Sequence, residues 1–200
     1  MNHPYPDMTV QEILAAFRSH SRSRILVNAP ALLVCIGLPA VWICGLVRDF
    51  NVQTLVFVLL TLPMSGVLCW YCIRNIRRNM QVMQGDSASP YGSPEDIAAV
   101  LADPQNVQAI SSRKVILTRS YLMQKNDVTS FIPLAEIVSL YAVSSKRNLF
   151  LLTVTRDGRK QSVRIERGSI FRSPEKQKQQ LIAELDAHLQ KHAPHLRANQ

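Results

Sequence analysis

Two hundred residues carry 23 lysines and arginines against 14 aspartates and glutamates, a formal net charge of +9. That balance suits an anionic membrane face, and the sequence has no helix-turn-helix, zinc-finger or RNA-binding signature, which argues against nucleic acid as the partner. The seven glycines are scattered, so there is neither a phosphate loop nor a dinucleotide fingerprint.

The first 24 residues form an N-terminal segment. Residues 1–7 are polar and proline-bearing, the composition of a disordered end. Thr9-Val10-Gln11-Glu12 has capping-box form. Val10, Ile13, Leu14 and Phe17 then recur at helical spacing and predict a short amphipathic helix ending near Arg18 and His20. Two placements stay open: the inner membrane interface with its apolar side down, or packing on the soluble domain. The apolar run that follows is too long for a signal peptide and lacks a small-residue cleavage site.

Residues 25–78 read as a transmembrane hairpin. The first span, Ile25 to Val47, and the second, about Thr54 to Ile73, contain no Asp, Glu, Lys, Arg or His. Each reaches roughly 30 Å as a helix, the thickness of the hydrocarbon core. Arg48 to Gln53 supply one polar turn. Arg18, Arg22 and Arg24 precede the hairpin and Arg74, Arg77 and Arg78 follow it, so both termini are expected in the cytoplasm of a multi-pass inner (plasma) membrane protein. Trp42 is placed toward the outer interface, Trp70 and Tyr71 toward the inner one. An ion or proton path leaves an ionisable residue at membrane depth, so the hairpin reads as an anchor. Pro30, Pro39 and Pro63 are ordinary for membrane helices.

All four cysteines, Cys35, Cys44, Cys69 and Cys72, lie in the spans, which fits a reducing compartment. Cys69 and Cys72 have the spacing of redox motifs. Such motifs sit at helix N-termini, whereas this pair is expected near the C-terminal end of a membrane helix, and no second pair of metal ligands lies nearby.

Residues 79–92 are a stalk and linker. Ile73, Ile76, Met80 and Met83 keep a three-to-four spacing among Arg74, Arg77 and Arg78, so the second helix should run a turn or two past the membrane. The stretch from Gly85 to Gly92 then breaks it. From Ser93 to His192 a soluble domain is expected, followed by a polar tail over 193–200. Ser93-Pro94-Glu95-Asp96 starts a short helix. About five antiparallel strands follow. They are centred on Val115–Thr118, Tyr121–Met123, a short strand from Phe131, Ile137–Val143, Leu149–Thr155 and Gln161–Glu166. Asn126-Asp127 and Arg156-Asp157-Gly158-Arg159 are turns, the latter of the Asp-Gly hairpin type. Val163 and Ile165 should face inward. Ser173-Pro174-Glu175 starts a last helix, and Leu181, Ile182, Leu185 and Leu189 form its apolar side. That side suits the open core of a twisted sheet.

The run Val115-Ile116-Leu117-Thr118, Tyr121-Leu122, Ile132-Pro133-Leu134-Ala135-Glu136-Ile137 and Leu151 to Gly158 resembles bacterial pleckstrin-homology-like (PH-like) domains over residues 107–192. The expected fold class is therefore α+β: a two-helix transmembrane hairpin plus a small antiparallel-sheet, PH-like domain capped by a C-terminal helix. It departs from a full seven-stranded barrel in showing about five strands and in the helix from Pro94 to Ala102. The resemblance implies a non-catalytic binding or scaffolding module at the membrane. The alternative is an accessory or regulatory subunit of a larger membrane complex, with the hairpin as interaction surface.

The candidate contacts for anionic lipid headgroups or a partner protein are Lys146, Arg147, Arg156, Arg159, Lys160 and Arg164. The first two lie in one turn and the next three in another, at opposite ends of a strand. The competing reading is solvated turn charge that blunts sheet edges. His188 and His192 have metal-ligand spacing but lack a Glu-x-x-His pattern or another ligand, so they read as a solvated helix face. No catalytic, cofactor or metal residues are predicted.

Overall fold

The computed structural model describes residues 5, 7–86, 89–105, 114–145, 148–167, 174–196 and 198–199. The architecture is α+β. Two long helices, α1 (Val10–Arg48) and α2 (Val52–Gln84), are followed by a short α3 (Pro94–Ala102), two small sheets and a C-terminal α4 (Pro174–His192). The chain divides into two compact units, Met1–Phe17 with Ser87–Gln200 and Arg18–Asp86.

The unit Arg18–Asp86 holds most of α1 and all of α2. Both helices are long and apolar enough to cross a membrane, and only 6% and 11% of their most apolar windows is buried. Large apolar side chains such as Leu26, Leu33, Val41, Leu60, Val67 and Trp70 stand exposed. Trp42 on α1 stacks on Phe57 of α2, with ring centroids 5.4 Å apart. The turn between the helices is short because Asn51 caps α2, its side chain accepting from the Gln53 N–H (2.8 Å). Helix α2 ends where Gly85 takes a left-handed φ of 81°. There the Gly85 N–H donates to Val82 O (3.3 Å) and the Asp86 N–H to Gln81 O (2.9 Å), the pairing of a Schellman motif. Helix α2 runs twelve residues past Cys72, so Cys69 and Cys72 sit within the helix rather than near its end. All four cysteines are free thiols.

The other unit is built on two sheets. The first is β1 (Val115–Leu117), β2 (Tyr121–Gln124) and β3 (Asp127–Pro133), antiparallel and in that order. The second has the order β6-β5-β4-β7. Strands β4 (Ile137–Ser145), β5 (Asn148–Thr155) and β6 (Lys160–Arg167) form an antiparallel meander, and the two-residue β7 (Ala198–Asn199) lies parallel to β4. A 3-10 turn, Leu134–Glu136, joins the sheets. Among the described residues, seven strands stand where about five were expected: each of the six centres marked in the sequence is a strand, and a seventh, β7, forms in the polar tail along β4. Strand β3 also begins earlier than the expected short strand from Phe131, because Lys125 and Asn126, the latter at φ 64°, make the whole bend and Asp127, read as part of the turn, already pairs with Gln124. The Asp127 carboxylate accepts from the Thr129 N–H (3.1 Å) and hydroxyl (2.6 Å), tying the strand start.

One core lies between the sheets and α4. It gathers Val115, Leu117, Leu122 and Ile132 from the first sheet, Leu140, Leu151 and Val163 from the second, and Ile182, Leu185 and Leu189 from α4. Ala193 and Leu196 extend that cover past the helix end. The register shift between Ile137 and Ser139 in β4 lets both Ile137 and Leu140 point inward, which strict alternation forbids. Leu181 and Ile165 lie in α4 and β6, but their side chains are outside the described residues.

The first sheet is buried on its other face as well: Ile116, Tyr121 and Met123 are fully enclosed, and Tyr121 packs on Phe131 at 5.1 Å. In the same unit, Ile97, Ala98 and Leu101 of α3 and Ile13, Leu14 and Phe17 at the start of α1 are buried. Of the two placements open for the N-terminal helix, packing with the sheet domain is the one adopted. The helix does not end near Arg18 and His20 but continues without a break as the rest of α1.

Candidate functional site

The loop between β5 and β6 carries three of the predicted contacts. The Gly158 N–H donates to Thr155 O (2.9 Å), closing a four-residue turn, and Gly158 then takes φ 76°. A left-handed residue after such a turn is the natural place for glycine. The Arg156 N–H donates to Glu136 O (2.9 Å), which pins this loop to the 3-10 turn.

Arg156, Arg159 and Lys160 are all exposed here. Their charges are not equivalent. The Arg159 guanidinium pairs with Asp157 at 2.6 Å. The Asp157 carboxylate also accepts a short hydrogen bond from the Thr155 hydroxyl and one from the Arg159 N–H (3.3 Å). The Thr155 bond is the main reason that the Asp157 carboxyl titrates below its ordinary range, with the Arg159 N–H and charge adding to it. Arg159 is therefore committed to its own loop, and Arg156 and Lys160 make no ion pair among the described residues.

Arg164 lies in β6, where its backbone pairs with Phe150, and its side chain is outside the described residues. Lys146 and Arg147 also lie outside them. Because β4, β5 and β6 run antiparallel in sequence order, the β4–β5 connection and the β5–β6 loop fall at opposite ends of β5. The eight residues of β5 put roughly 25 Å between those ends. Among the described residues, Arg156, Arg159 and Lys160 thus share one loop and its strand start, and Arg164 lies farther along β6.

His188 is half-buried rather than solvated. Its Nε2–H donates to the Thr118 carbonyl oxygen (2.8 Å), tying α4 to the β1–β2 turn. The His192 ring lies 4.7 Å from that of His188. Burial first, then His188, Lys191 and Arg119, push its pKa below the ordinary value. Among the described residues no group of three or more His, Cys, Asp or Glu is placed to hold a metal.

Sequence reasoning missed a groove beside α2. Its lining takes Ile73, Ile76, Arg77 and Met80 from that helix together with Leu32 of α1. The signal was present, since these α2 residues are the three-to-four stripe read as a stalk. The groove required the neighbouring helix to be seen. Comparison with family models, with curated proteins and with solved structures yields no match.

Proposed function

We propose that this chain is a membrane-anchored PH-like binding or scaffolding module. Helices α1 and α2 anchor it in the plasma membrane, and the sheet unit stands in the cytoplasm, where its basic loop meets anionic headgroups or a partner protein. The observation that carries this reading is the pair of long apolar helices whose surface is almost wholly unburied. A soluble protein encloses its core helices, whereas these expose Leu, Val and Phe side chains on every turn, a surface that lipid covers. The arginine collars supply the orientation. A three-stranded antiparallel sheet and a second sheet built on the β4–β6 antiparallel meander, closed by a C-terminal helix, support the PH-like assignment, as do the residues that carry the resemblance.

The second reading, an accessory subunit of a membrane complex, draws on Gly37, Gly45 and Gly66. A Cβ at any of them meets nothing within 4 Å, so another helix has room to approach closely.

A benzophenone side chain at Lys160, activated in native membranes, tests the main reading. Adducts with lipid or with one discrete polypeptide are expected. Adduct formation with neither contradicts a binding role for this loop. Adducts formed instead from probes on the faces of Gly37 and Gly66 favour the second reading.

A further inference from the structure

The groove beside α2 encloses about 440 Å³. Its lining on α2 runs from Ile73 to Gln84, about 16 Å along the helix at 1.5 Å per residue. Leu32, Ile73 and Ile76 make its aliphatic part, and from Arg77 onward Met80 is joined by Gln81, Gln84 and Asp86. The two charges are brought to one groove by the helix end. The Asp86 N–H turns back to Gln81 O, and the left-handed Gly85 makes that return possible. Arg77 and Asp86 do not pair with each other, and neither makes an ion pair among the described residues. Arg74, three residues before Arg77, lies over the exposed Trp70 ring at 5.2 Å. An indole beside arginines is the composition of a membrane–water boundary.

We propose that this groove binds one aminophospholipid of the cytoplasmic leaflet. An acyl chain lies along Leu32, Ile73 and Ile76, Arg77 takes the phosphate, and Asp86 takes the primary ammonium. The inference rests on the membrane reading above. Charge decides the lipid class. An anionic headgroup without an amine places a second negative group or hydroxyls beside the Asp86 carboxylate. A choline headgroup carries the positive charge but no N–H to donate. Phosphatidylethanolamine satisfies both charges with charge-assisted hydrogen bonds. Because Arg77 and Asp86 have no ion-pair partner among the described residues, binding there breaks no described ion pair.

The test is native mass spectrometry of the full-length chain in detergent, with phosphatidylethanolamine, phosphatidylcholine or phosphatidylglycerol added at equal concentration. One phosphatidylethanolamine should be retained roughly tenfold over phosphatidylcholine, the factor that one charge-assisted hydrogen bond supplies. Asp86→Asn should bring that ratio to about one by lowering phosphatidylethanolamine retention the most, as expected of a lost charge-assisted bond. Arg77→Met should lower retention of all three lipids, and Met80→Trp, at an exposed position, should do the same by filling the groove. Equal retention of the three lipids, preference for phosphatidylglycerol, or wild-type ratios in both charge variants overturns the proposal. So does a dimer that forms without lipid and is broken by Met80→Trp, since a second copy then occupies the groove. Alkaline-carbonate extraction of native membranes separates this failure from the larger one. A chain that resists extraction yet retains no lipid refutes only the groove, whereas an extracted chain refutes the anchor.

Discussion

The Tyr5 hydroxyl donates to the side-chain oxygen of Asn126 (2.9 Å) and accepts from the Asn126 backbone N–H (3.1 Å), joining residues 121 positions apart. Lys125 sits over the same ring at 5.7 Å. Asn126 is the left-handed residue of the β2–β3 bend, so the N-terminal segment is fastened to the tightest turn of the first sheet. Burial pushes the Tyr5 pKa up to about 12, against the Asn126 backbone bond, which lowers it. Replacement Tyr5→Phe leaves a part-buried N–H and amide unsatisfied and should cost about 1–3 kcal/mol of stability, read by thermal unfolding. The wild type should also lose stability as pH rises from the unfolded value near 10 to about 12. Over that interval the unfolded state releases a proton that the folded state keeps. An unchanged melting temperature and alkaline profile for Tyr5→Phe would show that the fastening contributes nothing.

Tyr121 behaves in the opposite way. It is 1% exposed, and its hydroxyl has no hydrogen-bond partner among the described residues. Burial raises its pKa far above the ordinary value, chiefly by desolvation. Removing an unsatisfied buried hydroxyl removes a desolvation cost, so Tyr121→Phe should leave stability unchanged or raise it. The ring contact with Phe131 survives the change. A loss beyond about 1 kcal/mol would mean that the hydroxyl has a partner.

Three exposed carboxylates cap or brace backbone turns. Glu12 accepts from the Thr9 N–H (2.7 Å) and hydroxyl (2.9 Å). Asp96 accepts from the Ser93 hydroxyl (2.7 Å) and N–H (3.1 Å). Asp157 braces the β5–β6 loop. Each carboxyl titrates below its ordinary value. The leading cause is the Thr9 backbone bond for Glu12, the Ser93 hydroxyl for Asp96 and the Thr155 hydroxyl for Asp157. With the folded pKa depressed, this stabilisation is complete above the unfolded values and is lost as pH falls through the folded ones. The combined variant Glu12→Gln, Asp96→Asn, Asp157→Asn should therefore show a shallower fall in stability below about pH 5. An acid profile parallel to wild type would remove these caps from the explanation.

Helix α4 closes the core, and Leu185 is fully buried in it. Replacement Leu185→Ala should cost about 2–5 kcal/mol, from lost transfer energy and the cavity left behind. Glu184→Ala on the exposed side of the same helix should change stability by less than about 0.5 kcal/mol. Equal effects of the two would mean that α4 does not close this core.

Much of this was legible in the chain itself. The capping box at Thr9 and the helix start at Ser93 were readable because a cap is a local pattern of side chain and backbone, and at Ser93 the structure adds the reciprocal bond to the Asp96 carboxylate. The apolar side of α4 was readable from its spacing, and Ile182, Leu185 and Leu189 are buried as that spacing requires. What could not be read depends on distant parts of the chain. Nothing in Tyr5 or Asn126 alone predicts their pairing across 121 positions. Strand β7 is set by its partner β4, since two residues carry no periodicity of their own. The basic residues were readable as turn charge. The commitment of Arg159 to Asp157 follows from a loop geometry that Thr155 and Gly158 impose. The groove at Arg77 and Asp86 needed both Leu32 and the turned-back helix end.

The central claim is that α1 and α2 are a membrane hairpin with the sheet unit on the cytoplasmic side. It is tested most directly by single cysteines in a background freed of the four native ones. Phe50→Cys lies in the exposed turn between the helices, and Arg156→Cys lies in the exposed β5–β6 loop. In right-side-out membrane vesicles, a membrane-impermeant maleimide should label position 50 at once and position 156 only after the membrane is permeabilised. Labelling of position 156 in sealed vesicles, or recovery of the chain in the soluble fraction, would contradict the account.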